Sequence, residues 1–230
     1  MHALSTPLKL LRSAAGVLLA WCLAASGALA ATLPQVNLGV MRSFGALPFY
    51  LAEQQGLFEA EGVRVTLQDC QDGQRCLAGL FEGQTQLSTV AELAVAMTAL
   101  QRDDFAVVAS LARSDRDIKI LARQVARIEE ITQLVGRRVA VPAGTVAQYH
   151  LEVALMLAGI DPRTLVTVAL PPARIAAAMA AGEVDACVIW EPLAQEILRA
   201  SGSPAHVLPV PQRLAHTFNL AATRTYLDAH

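Results

Sequence analysis

Arg138-Val139-Ala140-Val141-Pro142-Ala143-Gly144-Thr145 decides how this chain is read. A short apolar run stops at a proline, which cannot donate to a strand ladder. A turn of small residues follows, with Gly144 free to take backbone angles closed to other residues. Val146, Tyr149, Val153 and Leu157 then recur at three- and four-residue spacing, the stripe of a helix with one face on a core, and Gly159 ends it. Strand, tight turn, helix is the repeating unit of α/β construction.

The same alternation extends in both directions. Downstream, Val166-Thr167-Val168 reads as a strand, 173–181 as a helix and Ala186-Cys187-Val188-Ile189 as a strand; Trp190-Glu191-Pro192 opens a helix to about Arg199. Upstream, strands are expected at 36–40, 63–67, 105–109 and 118–122, and helices at 49–55, 76–81, 91–101 and 128–134. Residues 216–222 read as a strand returning to the first half, and Tyr226-Leu227 as a helix start, so the end reads as unfinished. Two cycles, each roughly 80–90 residues long, imply two lobes.

Apolar residues make up 54% of the 230 and charged ones 17%, ample for a core and far from a disordered profile. Lys9 and Arg12 precede a charge-free stretch through Ala25, and Ala28-Leu29-Ala30 gives the small-residue pattern of a secretory cleavage site. Residues 1–30 are therefore expected to be a signal peptide, with an uncleaved anchor as the alternative. Removing them takes two of the 18 basic residues and no acid, leaving 16 against 20 and a net charge of −4. Basic residues do not cluster beyond Arg137-Arg138, so no nucleic-acid partner is expected. Export into an oxidising compartment makes Cys70 and Cys76, which flank a turn-like stretch, a candidate disulfide, whereas Cys187 reads as a buried thiol.

Further stretches carry a resemblance. Pro48-Phe49-Tyr50-Leu51-Ala52 is followed by Gly56-Leu57-Phe58-Glu59-Ala60-Glu61-Gly62-Val63. Leu134-Val135-Gly136-Arg137-Arg138-Val139-Ala140-Val141 leads to Gly144-Thr145, and Ala181-Gly182-Glu183-Val184-Asp185-Ala186 to Trp190-Glu191-Pro192. In this order and spacing the chain resembles the nitrate/sulfonate/taurine and thiamine-precursor class of ABC-transporter substrate-binding proteins. The resemblance implies an α/β, two-lobe type II periplasmic-binding-protein-like fold with a hinge between lobes. Residues 31–113 with 214–230 would form the first lobe and 114–213 the second. It further implies a periplasmic, monomeric protein that hands a small-molecule ligand to an ABC permease in the inner membrane. Members of this class continue for several dozen more residues, packing C-terminal helices on the first lobe.

In such sheets ligands lie beyond the carboxyl ends of the strands, where loops feed helix N-termini that attract anions. Three loops fit: Ser43-Phe44-Gly45 beside Arg42; Ser88-Thr89-Val90; and Gly144-Thr145 ahead of Gln148 and Tyr149. Thr89 and Thr145 offer hydroxyls to a ligand or serve as helix caps. Phe44 is a cleft wall or a core residue, and Arg42 an anion partner or a surface charge. Trp190 is a stacking wall or a core indole; Glu191 pairs with a ligand amine or complements a helix start. Replacing Thr145 or Trp190 by Ala is expected to weaken binding with the fold near intact. His150, His206 and His216 are scattered, and no zinc, phosphate-loop or nucleophile-elbow motif is present, so neither metal nor cofactor is expected. Two alternatives stand beside transport: a ligand-sensing regulatory module, and an enzyme using Cys70 or Cys76 as a cleft nucleophile.

Overall fold

The computed structural model describes residues 32–200, 204–210 and 214–230; the signal-peptide expectation for 1–30 lies outside them. Strand β1 (Gln35–Met41) leads through a 3-10 turn at Phe44–Ala46 into α1 (Leu47–Gln54), with Pro48 in its first turn, where a missing N–H costs nothing. Helix α2 (Leu57–Ala60), strand β2 (Arg64–Cys70), helix α3 (Gly73–Phe81), strand β3 (Leu87–Ala91) and helix α4 (Glu92–Ala99) follow. Strand β4 (Phe105–Ser114) ends this stretch.

The second stretch repeats the plan. It comprises β5 (Ile118–Arg123), β6 (Arg138–Val141), α5 (Val146–Leu157), β7 (Val166–Ala169), α6 (Pro172–Ala181), β8 (Ala186–Trp190), α7 (Leu193–Arg199) and β9 (Ala205–Val207). Strand β10 (His216–Thr223) and helix α8 (Arg224–Ala229) close the described chain.

Two five-stranded sheets result, ordered β2-β1-β3-β10-β4 and β7-β6-β8-β5-β9. Each has a parallel triplet plus one antiparallel strand that brings an edge strand with it: β10 runs against β3 and β4, and β5 against β8 and β9. The chain therefore crosses between sheets twice, at residues 115–117 and between β9 and β10. This is the α/β, two-lobe architecture expected, and residues 34–230 pack as one unit.

The larger core lies in the second lobe, around fully buried Ile120, Leu155, Ile175 and Ile189, and it also takes in Met41, Cys76 and Phe218 from the first. A smaller core of Leu77, Leu80, Val90, Ala94, Phe105 and Ala221 holds the first lobe.

Long-range pairing corrects several local readings. Ala91 ends β3 instead of starting a helix, because β10 claims it through the Phe218–Ala91 register. Likewise β4 runs to Ser114, not 109, because His216 pairs with it. Trp190 closes β8, paired with Ile118, and the next helix waits until Leu193. The expected helix over 128–134 is only a 3-10 turn, Ile131–Leu134, with a Glu130/Gln133 capping box. Val135 turns extended straight after it and ends the coil. Three-residue β9 had no sequence signal strong enough to mark it.

Candidate functional site

The carboxyl ends of β1 and β3 lie against the turn after β6 and the end of β8, and the first crossing runs beside them. A cavity of about 380 Å³ opens there. The turn after β1 supplies Phe44 and Gly45, and β10 supplies His216 and Phe218. Arg116, Asp117 and Lys119 come from the first crossing and the strand it enters, and Glu191 from the turn after β8. The lining thus holds charges of both signs between two aromatic rings. A second, tighter space of about 20 Å³ lies between Asp72, Gly73 and Gln74 of the first lobe and Gly144, Thr145 and Trp190 of the second.

Of the residues anticipated from sequence, Phe44, Gly45 and Glu191 come together in the larger cavity, and Gly144, Thr145 and Trp190 in the smaller. Phe44 is 56% exposed, which removes its core reading. Gly45 is needed for space: a Cβ there would sit 2.3 Å from the Phe218 ring. Ser43 is buried with its hydroxyl unpartnered among the described residues.

Glu191 is 9% exposed, and its Oε2 accepts the Gln195 N–H at 3.0 Å, so part of the carboxylate serves the first turn of α7. Trp190 is 2% exposed within the larger core, and its Nε1–H donates to the Arg42 carbonyl at 3.0 Å across the lobes. The indole is therefore core and inter-lobe tie at once, which argues against the expectation that its loss would spare the fold.

Neither threonine caps a helix. Thr145 stands at the N-cap of α5, but its hydroxyl donates to the Pro142 carbonyl at 2.7 Å. Thr89 lies inside β3, where its Oγ1 accepts the Met41 N–H at 3.0 Å. Ser88 donates to the Cys76 carbonyl at 3.0 Å, and Val90 is fully buried in the smaller core. The Ser88-Thr89-Val90 group is thus strand interior and lines neither cavity. Gln148 holds the Gly144 N–H through its Oε1 at 2.7 Å and Glu152 through its Nε2, also at 2.7 Å. Tyr149, 48% exposed, lines neither cavity.

Sequence reading missed Arg116, Asp117, Lys119, His216 and Phe218. Their signal was present but mute: Asp115-Arg116-Asp117 interrupts two apolar runs, and only the double crossing brings it to His216. His216 Nε2 stands 3.3 Å from Asp117 Oδ2, with both side chains buried. Behind them His150 of α5, 4% exposed, has its Nδ1 unpartnered among the described residues.

Burial, and then the neighbouring His216 and Lys119, push the His150 imidazole below its ordinary 6.5. The unfolded chain then takes up that proton more readily than the folded one. Stability is full above pH 6.5 and falls as pH drops through and below it. A His150→Leu variant should lose this part of the slope, measured as urea midpoints between pH 7.5 and 5; an unchanged slope would contradict the assignment.

Cys70 and Cys76 are disulfide-bonded, as expected, with Cα atoms 5.4 Å apart. Cys187 is fully buried, and burial raises its thiol pKa well above the usual range. No group of three metal-ligating side chains occurs among the described residues.

Comparison with known proteins bears on the family and the fold. The NMT1-like family matches residues 30–208. The taurine-binding periplasmic protein of Escherichia coli K12 is 28% identical over 174 residues, covering 74% of this chain and 53% of that protein. Among solved structures, the alkanesulfonate-binding protein SsuA from Xanthomonas axonopodis pv. citri, bound to MOPS, superposes with a TM-score of 0.74 at 25% identity. That match covers 86% of this chain and 69% of that one. The periplasmic nitrate-binding protein NrtA from Synechocystis PCC 6803, at 13% identity and a TM-score of 0.64 over 86% of this chain and 57% of its own, shares the fold. The chain spans about half the length of the curated relatives it matches.

Proposed function

The chain belongs to the NMT1-like family, and from that footing we propose that it is a periplasmic solute-binding protein that captures a small molecule between its lobes for an ABC importer. The observation that carries this reading is the 380 Å³ cavity where both lobes and the first crossing meet. Its size suits a small organic solute. Its lining suits a solute with an acid head and an amine: Arg116 and Lys119 for the first, Glu191 for the second, Phe44 and Phe218 against the carbon between. Taurine is such a molecule, and the curated relative at 28% identity is a taurine-binding protein.

Capture would follow from geometry. Ligand contacts to both lobes exist together only when the lobes are shut, so the ligand favours the shut form by its differential affinity. The loaded form would be monomeric and would dock on a permease in the inner membrane. The lobes would divide as residues 31–113 with 214–230, and 114–213.

The enzyme alternative is weakened on physical grounds. A nucleophilic cysteine must be a free thiolate, and Cys70 and Cys76 are bonded to each other. The test is Glu191→Gln against two ligands that differ by the amine alone. Taurine affinity should fall by about tenfold or more while ethanesulfonate affinity barely changes. Equal losses for both would place Glu191 in the fold of the α7 turn and remove it from recognition.

A further inference from the structure

Gln74 lies in the first turn of α3, and its Nε2 donates to the Gly144 carbonyl at 2.9 Å, from one lobe to the other. The receiving residue is held through its other peptide too, because Gln148 Oε1 accepts the Gly144 N–H. Gly144 adopts a φ of +72°, and a Cβ there would stand 2.8 Å from Gln74 Nε2, so the two chains meet without slack.

What keeps Gln74 in place is local. The disulfide joins the last residue of β2 to the first turn of α3, six positions on. Asp72 caps that helix, accepting the Arg75 N–H at 2.9 Å. Gly73 is buried close against Val90 and Ala94; a Cβ on it would lie 3.3 Å from one and 3.5 Å from the other. Cys70 and Cys76 themselves pack on the larger core, most of which belongs to the second lobe. The Cys70–Cys76 turn is thus a braced arm of the first lobe that meets the Gly144-Thr145 turn of the second.

We propose that Gln74 is a positioning residue for lobe closure and that the Cys70–Cys76 disulfide holds it in register with Gly144. Its purpose rests on the solute-binding reading above, but its test does not. The donor contributes to the shut form with or without a ligand, whereas Thr145 and Trp190 beside it belong to the second lobe.

The experiment is small-angle X-ray scattering of the ligand-free full chain, with melting temperature recorded for each variant. Gln74→Ala and the isosteric Gln74→Glu, which lacks the Nε2 donor, should both shift the shut-to-open ratio about three- to tenfold toward open. The radius of gyration should rise while the melting temperature holds. Gln74→Lys keeps a donor and should scatter like the parent. Replacing both cysteines by Ala should open the protein as Gln74→Ala does, and combining the changes should add nothing, since residues in one linkage are not additive. Parent-like scattering from Gln74→Ala and Gln74→Glu would overturn the proposal, as would an opened Gln74→Lys or a fully additive combination. Failure of the parent to bind taurine would count against the ligand reading alone, because the scattering is measured without it.

Discussion

Trp190→Ala is expected to lower the free energy of unfolding by about 3–5 kcal/mol, the usual cost of emptying a buried aromatic site. Trp190 ends β8 at 2% exposure, its ring lies in the larger core, and its N–H holds the Arg42 carbonyl of the other lobe. The truncation leaves a cavity and an unpaired carbonyl together. Since domains of this size are stable by about 5–15 kcal/mol, a large share of the margin is at stake. Urea midpoints with an unchanged slope would report it. A shift of less than about 1 kcal/mol would mean that the indole is a ligand wall with little part in the core.

Gly45→Ala should damage binding more than any other single methyl group. The added Cβ would fall 2.3 Å from Phe218 Cδ1 and Cγ and 2.8 Å from Cε1. Phe218 is buried and paired in β10 with Ala91 on one side and Ala112 on the other, so the ring cannot simply swing away. Overpacking of this kind costs about 1–3 kcal/mol. Both residues line the larger cavity, so the displaced ring or turn reshapes the cavity itself. Taurine affinity should fall by about tenfold or more, with a smaller fall in melting temperature than for Trp190→Ala. Calorimetric titration checks this, and parent-like affinity would remove the turn after β1 from the site.

The parts of this molecule that local chemistry dictates were readable from sequence. The strand, turn and helix at 138–157 form as their period and their proline and glycine dictate, and Gly182, at a φ of +73°, ends α6 just past its last periodic residue. The Cys70–Cys76 bond was expected from a short turn and a leader-like start to the chain. What sequence hid is what β10 decides from about a hundred residues away or more. Pairing with β10 turns Ser88–Ala91 into strand, extends β4 to Ser114 and sets His216 beside Asp117. That return sets His216 and Phe218 against the charges of the first crossing, so no window of sequence contains the whole lining. Trp190 and Glu191 were legible as a pair but not in their division of labour: one side chain turns into the core, the other toward the cavity.

On the proposed reading the cleft receives a small solute and leaves it unaltered. Isothermal titration of taurine, ethanesulfonate and nitrate into the folded protein, with the ligand recovered and analysed afterwards, tests it most directly. Saturable one-to-one heat is expected with at least one of the three, strongest for the ligand that carries both an acid head and an amine, with the ligand recovered chemically intact. No heat from any of them, or recovery of a converted product, would contradict it.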